Sequence, residues 1–474
     1  MPQPASVRTL PSGFVSRVAG IVGGPFVLQD IASREAYGTD GTKTGAPADL
    51  VVLPGSTQDI AQLARLCDDE RVPIVVRGGG TGYTGGAVPI RGGMVMSLER
   101  MNRILEIDQV NLLARVQPNV ITGDLQDAVE RVGLFYPPDP ASLRQSALGG
   151  NVAECAGGPR AFKYGTTKRY VLALEAVLPT GDIVRTGSKA VKNVVGYDLT
   201  HLLVGSEGTL AIITEITLRL IPKPAAHATL LAEFADILHA VEAVTQLIRR
   251  RVVPAAIELV DGDSLRALAR HAGRPMAEPG ASALLIVEVD GSPEAVGPEI
   301  LLVEEACRAA QAIAIKRAAS EAERDDIWHL RRELSPALRK ISSIKLNNDV
   351  VVPRGRVPEL FRLIDEIRQE SGLPIASFGH AGDGNIHVNI MIPETDSPEQ
   401  KVTRQEQGER AVRRLFEGVV RLEGSISGEH GIGFTKAPYL GLELSRDEIA
   451  LMQRVKAAFD PHGILNPGKI FPDG

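Results

Sequence analysis

Two short segments concentrate side chains that could bind a metal ion. His380 and His387 lie in the segment FGHAGDGNIHVN, and Glu429 and His430 lie in SGEHGIG. Two imidazoles and one carboxylate are a ligand set that leaves coordination positions open for a substrate. Glu429 would supply the carboxylate if the glycines around it bring its loop near the two histidines. A hydrogen-bonded structural histidine is the alternative at each position.

The spacing of His380 and His387 favours a turn between two strands. On a helix, this spacing would separate them by about 10 Å along the axis, too far for one ion with ligands at ~2.1 Å. The intervening GDGN also disfavours a helix. A turn at residues 382–385 would instead fold His380 back towards His387. In the second strand, alternation places His387 and Asn389 on one face and the neighbouring apolar residues on the other.

A glycine-rich run follows a short apolar strand pattern at residues 73–76. The run, RGGGTGYTGGA from Arg77 to Ala87, has six glycines in eleven residues. Glycine lets backbone N–H groups approach a phosphate without interference from a Cβ. A dinucleotide-binding fingerprint needs a helix directly after the glycines, and a P-loop needs a closing Gly-Lys-Ser/Thr. Neither follows here, which argues against a Rossmann domain and a nucleoside triphosphatase. Hairpin turns remain the alternative for one such loop.

Two further glycine-rich stretches make simple turns a weaker explanation. They lie at residues 148–165 and within VGSEGTLAIIT, residues 204–214. We expect all three stretches to be loops with no helix at their ends. Three such loops in one domain favour a common role in holding an anionic ligand.

Composition limits the partners and the redox chemistry of the chain. Its 474 residues carry 52 Lys+Arg and 58 Asp+Glu, a net charge of −6, which argues against nucleic acid or an anionic membrane as the main partner. Cys67, Cys155 and Cys307 are far apart, which excludes a Cys-ligated iron–sulfur cluster and a disulfide scaffold. No apolar run approaches the ~18 residues of a membrane span. The start, MPQPASVRTLPSG, lacks the features of a signal peptide, so we expect a cytoplasmic location.

The order of elements predicts two domains and a C-terminal segment. A capping-box pattern at Ser56 and Asp59 begins a helix, and Thr122 is expected to cap another. Beyond a boundary at residues 221–228, strand patterns alternate with helical patterns at residues 236–251 and 293–314. This rhythm suggests an open sheet with helices on one face. We therefore divide the chain into residues 1–222, 223–423 and 424–474.

The glycine-rich motifs and their order resemble those of a known family. Arg77–Ala87, PPDPAS, GGNVAECAGGPRAFKYG, VVGYDL and VGSEGTLAIIT together resemble the FAD-binding domain of the PCMH-type (vanillyl-alcohol-oxidase-like) flavoproteins. The resemblance is strongest to the branch that contains glycolate oxidase, D-lactate dehydrogenase and D-2-hydroxyglutarate dehydrogenase. It implies an α+β fold with a two-subdomain PCMH-type FAD-binding domain and a ferredoxin-like α+β substrate (cap) domain. A C-terminal helical segment would return to the FAD site.

The resemblance assigns a set of residues to the cofactor. The first loop has no histidine for covalent attachment, so noncovalent FAD is expected. Cys155 stands where many relatives have asparagine, and a small buried residue is its expected role. The pyrophosphate would be cradled by Gly78, Gly79, Gly80, Thr81, Gly82 and Gly85. The rest of FAD would be held by Arg77, Pro138, Asp139, Ser142, Gly149, Gly150, Asn151, Ala153, Gly157, Gly208, Ile213 and Asn466.

The resemblance also assigns roles to the histidine segments and to a basic helical stretch. The matching residues in D-2-hydroxyacid dehydrogenases hold a divalent ion, here Zn²⁺ or Mn²⁺, and supply a base. The ligands would be His380, His387 and Glu429, with His430 as the base. In WHLRRELSPALRK, where a solvated basic face is the alternative, Arg331 or Arg332 would clamp the substrate carboxylate. The remaining substrate contacts would come from Ser335, Lys345 and Asn389.

The expected activity is FAD-dependent oxidation of a D-2-hydroxy acid, such as D-lactate or glycolate, to the 2-oxo acid. The ion would acidify the hydroxyl, His430 would accept its proton, and the α-hydrogen would leave as hydride to flavin N5. The electrons would pass to an electron-transferring flavoprotein, a separate iron–sulfur subunit or a quinone, with the enzyme cytoplasmic or peripheral to the inner membrane through a partner. A homodimer is left open. The alternatives are an oxygen-using flavin alcohol oxidase, a metal-dependent hydrolase and an inactive partner subunit.

Overall fold

The structure, a computed structural model, describes residues 10–42, 45–342, 344–395 and 397–472. Most of the N-terminal stretch considered above for a signal peptide, residues 1–9, lies outside these ranges. The chain divides into two compact units. The first contains the chain up to Gly157, residues 166–223 and residues 429–474, and the second contains residues 158–165 and 224–428. In the described part of the chain, no helix combines the length and apolarity needed to cross a membrane.

Helices and strands are interspersed along the whole chain. The helices are α1 Phe14–Val22, α2 Ile31–Tyr37, α3 Thr57–Glu70, α4 Thr122–Glu130, α5 Leu148–Glu154, α6 Ala161–Tyr164, α7 Leu199–Leu203, α8 Ile237–Arg249, α9 Gly262–Ala272, α10 Pro293–Ala309, α11 Glu321–Ile341, α12 Val357–Ser371, α13 Pro398–Arg421, α14 Leu440–Glu443 and α15 Arg446–Phe459. The strands are β1 Val27–Leu28, β2 Leu50–Val52, β3 Ile74–Arg77, β4 Met94–Ser97, β5 Ile104–Asp108, β6 Leu113–Val116, β7 Leu134–Phe135, β8 Val171–Val177, β9 Ile183–Gly187, β10 Ile212–Arg219, β11 Ile221–Pro222, β12 Ala226–Phe234, β13 Ala256–Val260, β14 Ala283–Gly291, β15 Ala314–Arg317, β16 Ile344–Val351, β17 Ile375–His380 and β18 Asn385–Ile392.

The first unit contains two main sheets. One has the order β1-β2-β4-β3, with β2 and β3 parallel to β4, and the other is the antiparallel β5-β6-β10-β8-β9. Helices α1 and α3 pack apolar side chains against the first sheet. The C-terminal segment joins the same core, because Ile464 and Leu465 are buried in it and Asn466 N–H donates to the Ile74 carbonyl at 2.7 Å. Residues near the C-terminus thus extend the first sheet at its β3 edge.

Local capping explains the start of α3 but not that of α4. Ser56 Oγ accepts from Asp59 N–H at 3.1 Å, and the Asp59 carboxylate accepts from Gly55 N–H at 2.8 Å. The prediction that Thr122 caps α4 is wrong. Thr122 is already the first helical residue, and its hydroxyl donates to the Ser146 carbonyl at 3.1 Å.

The second unit is built on an antiparallel sheet of order β15-β12-β14-β13-β17-β18-β16. Helices α9 and α11 cover the face that carries Leu284 and Ile286. The alternating residues of β14, Leu285 and Val287, point to the opposite face and are fully buried, and helices α8 and α10 contact this strand. The prediction of helices on one face is therefore wrong, because both faces of β14 are apolar and need cover. The predicted helix at 293–314 is also too long, since β15 begins at residue 314.

Candidate functional site

The first glycine run forms a loop directly after β3. Within the described residues, none of the N–H groups of residues 78–82 donates a backbone hydrogen bond. A Cβ added at Gly82 would meet no atom within 4 Å, and the same holds for Gly150 in α5. A loop with free N–H groups and open space above its backbone fits an anionic group such as a pyrophosphate.

Other glycines of the predicted cofactor set serve close contacts within the chain. A Cβ at Gly79 would overlap the Gln145 carbonyl, and a Cβ at Gly149 would lie 2.7 Å from the Pro118 side chain. Gly85 combines a positive φ of 80° with a position against the Phe434 ring. These glycines are required by the protein itself, whatever they contact in a cofactor.

The second glycine-rich stretch is not a loop throughout, which corrects our expectation. Its residues Leu148–Glu154 form α5, and Cys155 follows in a left-handed conformation with φ 55°. The Asn151 side chain is buried and donates to the Thr122 hydroxyl at 2.6 Å. Gly149 N–H donates to the Pro118 carbonyl at 2.7 Å. These two contacts attach a glycine-containing helix that would have low intrinsic stability.

The remaining predicted cofactor residues lie around the same loops. The Arg77 guanidinium donates to the Thr39 carbonyl, and the Pro138 carbonyl accepts from Gln126 Nε2 at 2.8 Å. The Ala153 carbonyl accepts from Glu207 N–H at 2.8 Å. The other predicted residues are Gly80 and Gly208, both with positive φ, half-buried Thr81, Asp139 and Ser142, and buried Ile213 on β10.

The C-terminal segment is attached to the first and third glycine-rich stretches. Asn466 Nδ2 donates to the carbonyls of Gly86 and Glu207, at 2.8 Å each. Asn466 Oδ1 is buried and has no hydrogen-bond partner among the described residues, so it can accept from a donor on a bound group. The Lys469 ammonium donates to the Val88 carbonyl, and burial lowers its pKa to about 7. The C-terminal segment is therefore hydrogen-bonded to the loops that are predicted to bind the cofactor.

Glu207 anchors the loop after His430, and sequence reasoning missed it. Its carboxylate accepts from the N–H groups of Ile432 and Gly433, at 2.7 Å each. Burial raises the pKa of Glu207, and the two N–H groups act in the opposite direction. The only available signal was a single acid between two glycines in GSEGT.

His430 lies beside the first glycine run. Its carbonyl accepts from the Thr84 hydroxyl at 3.0 Å, and its ring centroid is 5.2 Å from that of Tyr83. The preceding residue, Glu429, packs against Gly157, where a Cβ would lie 2.7 Å from a carboxylate oxygen. The missing side chain of Gly157, predicted to contact FAD, thus makes room for Glu429.

The two predicted histidine ligands lie together in the second unit, as the strand–turn–strand prediction requires. In the β17–β18 pair, His380 is opposite Asn385 and His387 is opposite Phe378. The two imidazoles are buried, with ring centroids 5.2 Å apart and planes at 87°. A ring nitrogen of one lies within 4.8 Å of a ring nitrogen of the other, a separation that one cation can bridge.

The backbone next to Glu429 is held beside this pair. Asp349 on β16 is the register partner of His387. Gly428 N–H donates to both the carbonyl and the carboxylate of Asp349, at 3.1 and 2.9 Å. Glu429 is the next residue along the chain.

Glu258 on β13 is a buried acid that the sequence analysis did not identify. It is opposite His380 in the sheet, and its side chain is fully buried. One carboxylate oxygen pairs with Arg331 Nε and the other with His380 Nδ1. Burial raises the pKa of Glu258, but Arg331 and His380 outweigh this effect and hold it at about 2. A lone acid in the apolar strand AIELV was its only signal in the sequence.

The predicted carboxylate-binding residues lie on α11 and on the strands that it covers. Arg331 is buried, with its guanidinium 4.7 Å from the centroid of the Phe378 ring, whereas Arg332 is exposed. Lys345 Nζ donates to the Ser335 hydroxyl at 3.0 Å. The geometry thus directs Arg331, and not Arg332, towards the sheet.

Two asparagine side chains lie in line with His387 and Asp349 on the same face of the sheet. Asn389 on β18 and Asn347 on β16 are register partners. Asn389 Nδ2 donates to the carbonyls of Ala376 and His387, at 3.2 and 3.1 Å. Over the part of the chain described, the amide oxygens of Asn389 and Asn347 are buried without a hydrogen-bond partner. Such acceptors suit a hydroxyl donor.

Comparison with known proteins finds family matches over two stretches of the chain. Residues 48–187 match the family described as "FAD binding domain", and residues 223–470 match "FAD linked oxidases, C-terminal domain". The chain is 42% identical to the glycolate oxidase subunit GlcD of Bacillus subtilis, over 95% of each chain. It is 36% identical to the D-lactate dehydrogenase of Anaerostipes hadrus, over 90% of each chain.

The fold also matches that of solved structures. A crystal structure of p-cresol methylhydroxylase with substrate bound superposes with a TM-score of 0.81, at 17% identity and over 98% of each chain. This similarity confirms the predicted α+β, PCMH-type fold. The family matches and the relatives confirm the resemblance found in the sequence. The chain therefore belongs to the family of FAD-linked oxidases.

Proposed function

We propose that the protein oxidises a D-2-hydroxy acid, such as D-lactate or glycolate, to the 2-oxo acid with noncovalent FAD and a divalent cation. The observation that carries this proposal is the buried His380–His387 pair, which lies on the same sheet face as Lys345 and as Glu258, the partner of Arg331. Imidazoles suit Zn²⁺ or Mn²⁺, and buried cations suit an anionic substrate. The activities in the names of the two relatives, glycolate oxidase and D-lactate dehydrogenase, support the same substrate class.

The proposed metal ligands are His380, His387 and Glu429. Imidazole nitrogens and a carboxylate are ordinary ligands of Zn²⁺, and the residue before Glu429 is hydrogen-bonded beside His387. When bound, the cation would lower the pKa of the substrate hydroxyl, and FAD would accept the α-hydrogen with two electrons.

The chain's own residues would orient the acid and move its proton. Arg331 engages Glu258 through Nε, and the guanidinium has further N–H donors for a carboxylate. Lys345 would add a second positive charge, and the Asn389 amide oxygen an acceptor. His430 would take the hydroxyl proton, since an imidazole nitrogen is a common general base and the loop that carries it is anchored by Glu207 and Thr84.

We further propose that the electrons leave to a protein partner or a quinone. Burial raises the pKa of the Cys67 and Cys307 thiols, and neither is suited to redox or cluster chemistry. The Bacillus subtilis relative is named a subunit, which supports an electron-transferring flavoprotein or a separate iron–sulfur chain as the acceptor. The location we propose is the cytoplasm or, through that partner, the inner membrane surface.

Anaerobic reduction of the purified flavoprotein tests the function directly. A panel of D- and L-2-hydroxy acids should bleach the flavin absorbance only with D enantiomers or glycolate. A chelator should abolish bleaching, and Zn²⁺ or Mn²⁺ should restore it. A folded, colourless protein would contradict the dehydrogenase and favour a metal-dependent hydrolase. Bleaching by sugars or other alcohols, insensitive to chelator, would favour an oxygen-using alcohol oxidase.

Substrate affinity is expected to fall at alkaline pH because of Lys345. Burial and, to a smaller extent, the positive charge of Arg339 lower the pKa of Lys345 to about 8. The ammonium is charged below this pKa and neutral above it, so its attraction for a carboxylate is lost as pH rises. KM for the 2-hydroxy acid should rise up to tenfold per pH unit above about pH 8, measured by steady-state kinetics.

Lys345→Arg is the matched control, since arginine stays charged throughout this range. Its KM should not rise between about pH 7 and pH 9.5, whatever its absolute value. A wild-type KM that is flat over the same range would remove Lys345 from carboxylate binding.

A further inference from the structure

We propose that Glu258 is a positioning residue that aligns the metal ligand His380 and the carboxylate-binding Arg331 at the same time. The inference rests on the proposed function, because it takes His380 as a ligand. Glu258 is the register partner of His380, and its two carboxylate oxygens contact different side chains. One rigid carboxylate on a central strand thereby connects two groups that must act on one substrate.

The contact with Glu258 selects the tautomer of His380. The carboxylate oxygen lies against Nδ1. The other oxygen of this carboxylate accepts from Arg331 Nε, and a carboxylate in an ion pair acts as an acceptor, so Nδ1 carries the hydrogen and Nε2 keeps its lone pair. A hydrogen-bonded carboxylate also makes the imidazole a stronger ligand and fixes the orientation of its ring. Nε2 is then the nitrogen available to a cation.

The contact with Arg331 uses the other oxygen and the Nε edge of the guanidinium. The Phe378 ring supports the same guanidinium at 4.7 Å. Glu258 is fully buried and Arg331 nearly so, which limits competition from water for this ion pair. Arg331 is therefore held in one orientation, and its outer N–H groups keep a constant direction for a substrate carboxylate.

A second glutamate on the same sheet face provides a matched control. Glu288 on β14 is also buried, and it pairs with Arg324 of α11 at 2.8 and 3.0 Å. Its further contacts are with Trp328 Nε1 and Thr229 Oγ1, both at 2.8 Å. Both glutamates are therefore buried on the same sheet face, and each pairs with an arginine of α11. Of the two, only Glu258 contacts a proposed histidine ligand.

Metal affinity of the chelator-stripped flavoprotein tests the proposal. Calorimetric titration with Zn²⁺ should show Glu258→Gln binding about 10–100-fold more weakly than wild type. Glu288→Gln should bind within about twofold of wild type. KM for the 2-hydroxy acid should rise in Glu258→Gln more than in Glu288→Gln. A purely structural role would lower the melting temperature without changing metal affinity.

Three other results of these titrations would overturn the inference. Wild-type affinity in Glu258→Gln would overturn the inference and leave the proposed function intact. Equal losses in both variants would also overturn it, because burial of any glutamate–arginine pair would then be the cause. If wild type binds neither Zn²⁺ nor Mn²⁺, the proposed metal site fails, and the inference fails with it.

A second pair of variants covers the case in which Glu258→Gln does not fold. Glu258→Gln with Arg331→Met removes both buried charges and leaves no unpaired cation. Its control is Glu288→Gln with Arg324→Met. The same difference in Zn²⁺ affinity is expected between these two proteins, because that measurement does not depend on Arg331. Equal affinity in the two would overturn the proposal.

Discussion

His430→Ala is expected to lower kcat by about 10²–10⁴-fold while the protein keeps its bound flavin, because a positioned base contributes this much to a proton transfer. The loop that carries His430 is anchored by Glu207 through Ile432 and Gly433, and by Thr84 through the His430 carbonyl. None of these contacts uses the imidazole, so the backbone should survive its removal. Flavin absorbance and kcat, measured on the same preparation, check both parts.

Chemical rescue separates a catalytic from a structural effect of this change. Added imidazole should partly restore kcat of His430→Ala, since a free base can enter the space that the side chain leaves. His462→Ala is the control, because His462 is an exposed partner of Asp68 and should be dispensable. Near-normal activity of His430→Ala without imidazole would remove His430 from the role of base.

Loss of one proposed metal ligand should have an effect at least as large. His387→Ala is expected to lower kcat/KM by more than about 10³-fold, because a bound cation contributes several kcal/mol of charge stabilisation and about 1.36 kcal/mol corresponds to tenfold. The metal content, measured by elemental analysis after dialysis, should fall in parallel. The FAD content should stay close to that of wild type, since the residues predicted to bind FAD lie in the other unit.

His271→Ala is a suitable comparison for His387→Ala. His271 belongs to the same unit, lies near the end of α9 and pairs with Glu333 at 3.1 Å. It should retain the wild-type metal content and activity. Full activity of His387→Ala in metal-free buffer would contradict a metal-assisted mechanism.

The hairpin that carries the two proposed histidine ligands could be predicted from local sequence. Glycines between His380 and His387 exclude a helix, and alternation in a strand places every second residue on one face. Turn chemistry and strand alternation act over a few residues, so no tertiary information is needed. The buried pair of imidazoles in the β17–β18 hairpin follows from these rules.

The glycine-rich stretches were only partly predictable. The first is a loop, but the second contains α5, which low helix propensity argues against. Gly149 allows close contact with Pro118, and Asn151 is held by Thr122. Those partners are distant in sequence, and therefore propensity alone could not show which glycines serve the chain and which face open space.

The sequence by itself determined the family, the loop form of the first glycine-rich run, the hairpin with its two histidines and the α+β class, because these depend on motifs and short-range patterns. Only the tertiary structure decided which charges meet. His380 and Glu258 are 122 residues apart, and Arg331 and Glu258 are 73 apart. It also buried Arg331 and exposed Arg332, and it covered both faces of β14. Strand order and helix packing set these contacts, and neither is written in the spacing of neighbouring residues.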